Sequence, residues 1–254
     1  MLAKILAGGL IVGLFSSIFG GKAVEIIRPD FSNTINKAVH FSNGVSLSYE
    51  VPGNLSNLMG FAEGYKDGSP RSFEVSLEDQ QGFSQVRWRT AKSIEGAMWK
   101  YLGDKKKGLG GELGGLNFDL SLNQYQDDSL KSYIFQAYET YLNGPNGSNT
   151  EIRESEMGDG ATDEELGDWI AYAPDKIEHR DISGTYFLFW PQRNEQRGYE
   201  FIYYVLPLNE QLFVSFRFQY SANGSSDQEY SEHTSMILED IDAFMQRVVV
   251  SAKK

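Results

Sequence analysis

Between Asn143 and Asp168 the chain carries eight carboxylates, Glu151, Glu154, Glu156, Asp159, Asp163, Glu164, Glu165 and Asp168, against one cation, Arg153. Three kinds of chemistry use acids at this density: cation coordination, acid–base catalysis by a pair, and electrostatic capture of a basic partner. A calcium loop needs oxygens at alternate positions, a central glycine and a distal glutamate. Asp159-Gly-Ala-Thr-Asp163 lacks that order, so no metal site is expected. Carboxylate pairs for glycoside hydrolysis form only in space, and with 35 acids in the chain their occurrence in sequence decides nothing. What remains is a docking surface, with Glu151, Glu154, Glu156, Asp159, Asp163, Glu164 and Asp168 as partner-binding residues and nearby aromatics as anchors. The plain alternative is a solvated acidic loop.

Other reactive side chains are sparse. His40, His179 and His233 do not stand at metal-ligand spacing, and His179 reads as part of a charged surface turn, Glu178 to Asp181. Cysteine is absent, which removes thiolate nucleophiles, zinc–thiolate sites, disulfides and a lipid-bearing cysteine. No G-x-S-x-G elbow occurs, and glycine-rich Gly108–Gly115 lacks the Lys-Ser/Thr end of a phosphate loop, so it reads as a flexible turn. Arg87 and Arg89 share the outer face of an expected strand, as solvated residues or as an anion site. Trp88, Trp99, Trp169 and Trp190 fit either a sugar cleft or core packing. No catalytic residue, cofactor or metal is expected, and the chain reads as a non-enzyme. A net charge of −12 argues against nucleic acid, whose phosphates need Lys and Arg, and favours a basic partner or simple solubility.

The elements that position these residues begin with Ile5–Gly21, ILAGGLIVGLFSSIFGG, an uncharged run bracketed by Lys4 and Lys22. It reads as an N-terminal hydrophobic helix, either an anchor or a signal cleaved near Ala23. Gly9, Gly13 and Ser17 fall at the small-xxx-small spacing that lets membrane helices approach closely. Either way the body is exported, and the lack of cysteine in an exported domain of this size tilts toward a bacterial envelope. The expected organisation is residues 1–23 as anchor or signal, 24–37 as a stem and 38–254 as the body. Two halves, 38–143 and 150–251, flank the acidic loop.

Within the body, Ser42-Asn43-Gly44 between apolar runs predicts a hairpin, with Val45, Leu47, Tyr49 and Val51 on one face. Phe73–Leu77 and Val86–Thr90 predict two paired strands. Ala91–Leu102 predicts a helix burying Ile94, Ala97, Met98, Tyr101 and Leu102. Leu116–Leu120 predicts a strand, and Asp128–Asn143 a helix capped by Asp127 or Asp128 and buried through Leu130, Tyr133, Ile134, Ala137, Tyr138, Tyr141 and Leu142. Thr162 and Glu165 form a capping box. Tyr186–Trp190, closed by Pro191, then Gly198–Leu206 and Phe213–Tyr220 predict three strands, the middle one buried on both faces. Ser226-x-x-Glu229 caps a final helix buried through Tyr230, Ile237, Leu238, Ile241, Phe244, Met245 and Val248. Strands in runs closed by helices give an α+β fold, an antiparallel sheet covered by amphipathic helices.

The paired aromatic strands YEFIYYVLPL and FVSFRFQY, the helix MILEDIDAFMQRVVVS and an early GVSLSYEVPGNL together resemble PsbP-like domains over about half of the chain. The resemblance implies an antiparallel sheet between helices and a binding rather than a catalytic role. It supplies no site residues. The expected function is capture of another protein at the bacterial envelope, in its sharpest form an immunity-type protein that neutralises a basic toxin. The alternatives are an accessory or assembly subunit of a membrane complex, joined to the membrane through residues 5–21, and a hydrolase with an unrecognised carboxylate site.

Overall fold

A computed structural model describes residues 26–53, 71–103, 111–127, 129–155, 157–196 and 199–252. The hydrophobic stretch with Gly9, Gly13 and Ser17 lies outside the described residues. Among the described residues no helix is long and apolar enough to cross a membrane.

The fold is α+β and mostly antiparallel. β1 (Thr34–Phe41) and β2 (Val45–Pro52) form the expected hairpin, and Gly44 takes the positive φ, +85°, that its turn requires. Leu47, Tyr49 and Val51 face inward. β3 (Arg71–Val75) lies parallel to β1, and β11 (Val249–Ala252) closes the far edge, giving a four-stranded sheet in the order β11-β2-β1-β3. The expected partner of β3 was the Val86–Thr90 strand. That stretch is instead broken at Arg87, whose φ of +56° turns the chain between β4 (Ser84–Val86) and β5 (Arg89–Leu102). Arg87 and Arg89 therefore do not share an outer face. Arg89 is buried, with its Nη2 3.3 Å from Asp119 Oδ1.

β5 corrects the helix expected over Ala91–Leu102. Glu95, Ala97, Trp99 and Tyr101 are buried in alternation, but Ile94, Met98 and Leu102 on the other side are apolar and part-buried, so the two faces together imitate a helical stripe. Gly96 is the overlooked signal, since glycine inside a helix costs about 1 kcal/mol. β6 (Glu112–Gln124) pairs with β5 and incorporates Gly114 and Gly115, which the sequence places in a flexible turn. A Cβ on Gly114 would lie 2.4 Å from the Ser221 carbonyl oxygen, so the glycine permits the close approach of the next strand.

β7 (Glu178–Ile182), β8 (Thr185–Gln196), β9 (Tyr199–Pro207) and β10 (Leu212–Ala222) complete a seven-stranded sheet, β4-β5-β6-β10-β9-β8-β7. Residues 178–181 are thus an edge strand rather than a turn. Pro191 does not close β8: it pairs with Ile202 beyond the end of β7, where no neighbour on its other side needs its missing N–H. β9 is buried on both faces, as its sequence predicts. β6 runs against β10, so strands from 38–143 and 150–251 lie side by side in one sheet.

Helices cover both faces of this sheet. α1 (Leu130–Asn143), capped by Ser129 rather than by Asp127 or Asp128, buries Leu130, Ile134, Tyr138 and Leu142 against Trp88, Trp190, Tyr203 and Phe213. On the opposite face, α4 (Asp227–Met245), capped by Ser226, packs Ile237, Ile241, Phe244 and Met245 with the four-stranded sheet. Tyr230, expected on its buried side, is exposed. Phe118 centres this core, 4.7 Å from Phe244 and 5.5 Å from Phe218 by ring centroids.

Two buried polar links cross the core. Lys37 on β1 pairs with Glu95 on β5, and the Tyr49 hydroxyl also donates to Glu95. Asp240 on α4 receives the Tyr101 hydroxyl at 2.9 Å and the Arg28 guanidinium at 2.5–3.2 Å. Burial raises the Asp240 carboxyl above its ordinary range, against the pull of Arg28. Ile27 bonds Leu102 through both backbone groups. Residues 26–33 of the expected stem are therefore part of the body, and β1 already begins at Thr34.

Candidate functional site

The acidic segment is an ordered platform rather than the irregular loop expected from its sequence. α2 (Ser148–Arg153) leads through a turn to α3 (Asp163–Leu166) and a single 3-10 turn, Gly167–Trp169. Thr162 and Glu165 form the predicted capping box: Thr162 Oγ1 accepts from the Glu165 N–H, and Glu165 Oε2 accepts from the Thr162 N–H. Two clamps hold the segment. Buried Asn149 donates to the Ala171 carbonyl at 2.6 Å and accepts from the Ala171 N–H at 2.9 Å. Arg153 grips Asp163 with two parallel bonds of 2.8 Å each. The Arg153 guanidinium lowers the Asp163 carboxyl below the usual range, and the Thr162 N–H does the same for Glu165.

The candidate acids therefore divide. Asp163 is spent on the clamp. Glu151, Glu154, Asp159 and Glu164 are exposed around it. Glu156 and the side chain of Asp168 lie outside the described residues.

Three large apolar side chains stand exposed on the same stretch: Met157 at 47%, Trp169 at 40% and Tyr172 at 55%. Between the last two, Ile170 and Ala171 are buried and pin the backbone. The segment thus combines exposed acids with exposed large apolar side chains. The sequence points to unnamed aromatic anchors near the acids, and it sets Trp169 with the other tryptophans as sugar-cleft or core residues; Trp169 is exposed instead of in the core. Met157 and Tyr172 were missed, because no periodicity marks exposed residues on irregular backbone. Trp88, Trp99 and Trp190 are buried.

No family model, no curated protein and no solved structure matches this chain. Its reading rests on its own geometry. Among the described residues no three His, Asp or Glu side chains converge in a metal-binding group. His40 Nδ1 lies 2.8 Å from Ser46 Oγ, and His233 contacts the Asn223 carbonyl.

Proposed function

We propose that the body is a non-enzymatic binding domain at the bacterial envelope, an immunity-type protein that captures a basic toxin through the platform from Glu151 to Tyr172. The observation that carries this reading is the exposure of Met157, Trp169 and Tyr172 on a segment fastened by Asn149 and the Arg153–Asp163 pair, which also carries the exposed acids Glu151, Glu154, Asp159, Glu164 and Glu165. The acids steer and fix register, and the aromatics supply the desolvated contact. The net charge of −12 and the uncharged run Ile5–Gly21 fit the partner's charge and the place of capture.

The test is site-specific photo-crosslinking from position 172 in cells, with binding of the captured protein then measured against salt. The expected product is one basic soluble protein. Changing Glu151, Glu154 and Glu164 together to Gln flattens the salt dependence, and Trp169→Ala weakens binding by about 2 kcal/mol or more. An acidic or membrane-embedded product, or capture indifferent to salt and to both changes, overturns the proposal.

A further inference from the structure

One region of the surface is rich in amide side chains and holds few charges among its described residues. Two depressions, of about 580 Å³ and 630 Å³, meet at Gln126. The first lies between the β1–β2 turn, the start of the 77–80 segment, the end of β6 and the β9–β10 turn. The second lies between the β4–β5 turn and α1. Six glutamines line the pair: Gln80, Gln124, Gln126 and Gln211 in the first, and Gln85, Gln126 and Gln136 in the second. Among the described lining residues Glu78 and Arg87 are charged, and Glu210 stands between the lining residues Asn209 and Gln211, in a chain where 23% of residues are charged.

Some of these amides are used internally. Gln85 bonds the Arg87 carbonyl and Thr90, and Gln124 bonds Gln80. Gln126, Gln136 and Gln211 are exposed and offer donor and acceptor to a ligand. The α1 wall is built on helical spacing. Tyr133, Ala137 and Tyr141 stand at i, i+4 and i+8, with Gln136 and Thr140 beside them. Both rings are half-buried and about 12 Å apart along the axis, with the small Ala137 between them. Trp88 lines the same depression, and its buried indole N–H has no acceptor among the described residues.

We infer that this groove binds a neutral oligosaccharide. Amides match hydroxyl and acetamido groups in both directions, tyrosine faces take the apolar faces of sugar rings, and the scarcity of charge rejects anionic chains. The run of glutamines, which the first depression continues beyond the aromatic wall, favours a ligand with hydroxyl or amide groups along its whole length over an extended peptide. The total volume suits several sugar residues. The second depression borders the start of the acidic segment at Gly144–Asn146, but its glutamine and tyrosine walls are distinct from the exposed acids and aromatics of the platform, so the inference stands or falls independently of the toxin reading.

The experiment titrates the full chain, in a zwitterionic detergent free of sugar headgroups, with N-acetylchitotetraose, with cellotetraose and with an anionic oligogalacturonate. At least one neutral probe binds with a Kd tighter than about 1 mM, and about 1 M salt leaves its affinity unchanged. Gln126→Trp and Gln136→Trp each weaken it by about tenfold or more. Gln228→Trp, on exposed α4, leaves it intact, and all three variants keep the parent melting temperature. Failure of both neutral probes, preference for the anionic one, loss of binding in salt, or survival of binding in Gln126→Trp overturns the inference.

Discussion

Lys37 Nζ lies 3.0 Å from Glu95 Oε1 across the interface between the two sheets, with side-chain exposures of 0% and 6%. Removing one member leaves a charge inside the core, which costs about 3–5 kcal/mol, whereas removing both discards the desolvation penalty along with the attraction. Lys37→Met is therefore expected to cost about 3–5 kcal/mol in urea unfolding. Combining it with Glu95→Gln, which keeps an acceptor for Tyr49, is expected to restore more than half of that. Additive losses in the double variant would show that the pair is not coupled.

Alkali should find hidden phenols. Burial pushes the Tyr220 hydroxyl up to about 12, with Glu200 adding to the shift, and burial raises Tyr101 and Tyr204 as well. A folded-state pKa above the unfolded value means stability that is full below pH 10 and is lost as pH rises through 12. In an ultraviolet titration, part of the 14 tyrosines should ionise near the ordinary value and the buried ones only with unfolding. A single smooth titration of all the phenols in the folded protein would contradict this.

Acid should loosen the platform first. Asp163 is held below its usual range by Arg153, so its contribution is present above the unfolded pKa and is lost as pH falls through the folded one. Asp240 runs the opposite way: raised by burial, it favours folding most below the ordinary carboxylate range, and that contribution fades as pH rises. The Trp169 indole resonance should therefore shift on acidification before global unfolding, and Asp163→Asn should abolish that step. A Trp169 signal that moves only with the whole fold would refute the local opening.

Gly114→Ala places a methyl group 2.4 Å from the Ser221 carbonyl oxygen and 3.0 Å from Ile237 Cδ1. Because the nearest obstacle is backbone, the strands must part, at a cost of about 1–3 kcal/mol. Calorimetry should record a fall of about 2–4 °C for each kcal/mol. The same change at Gly115, whose nearest neighbours lie at 3.9 Å, should be nearly neutral and serves as the control.

How much of this was legible depended on whether the pattern was local. The β1–β2 turn, the α1 and α4 faces, the Thr162 box and doubly buried β9 were readable, because turn chemistry, caps and periodicity act within a few residues. β5 was not, because part-buried Ile94, Met98 and Leu102 on one face interleave with buried Ala97 and Tyr101 on the other, and together they imitate a period of 3.6. β11 was missed for another reason. Four residues ending a chain look like the frayed end of α4 until β2, some two hundred residues earlier, provides their partner. For the site, the acids and one anchor could be found by composition. That Asp163 is committed to Arg153 depends on a ten-residue fold-back that composition does not encode.

β2 has two neighbours: β1, made just before it, and β11, at the far end of the chain. Val249 lies against Ser48, and Gly114 against Ala222. During synthesis, then, the seven-stranded sheet has all its strands once Ala222 is made, whereas the four-stranded sheet cannot close until residues 249–252 are available. A nascent chain stopped short of residue 249 exposes the open edge of β2. The β1–β2 hairpin can form on its own, but its sheet closes only when a segment some two hundred residues away arrives, so β11 acts as a late clasp on the fold.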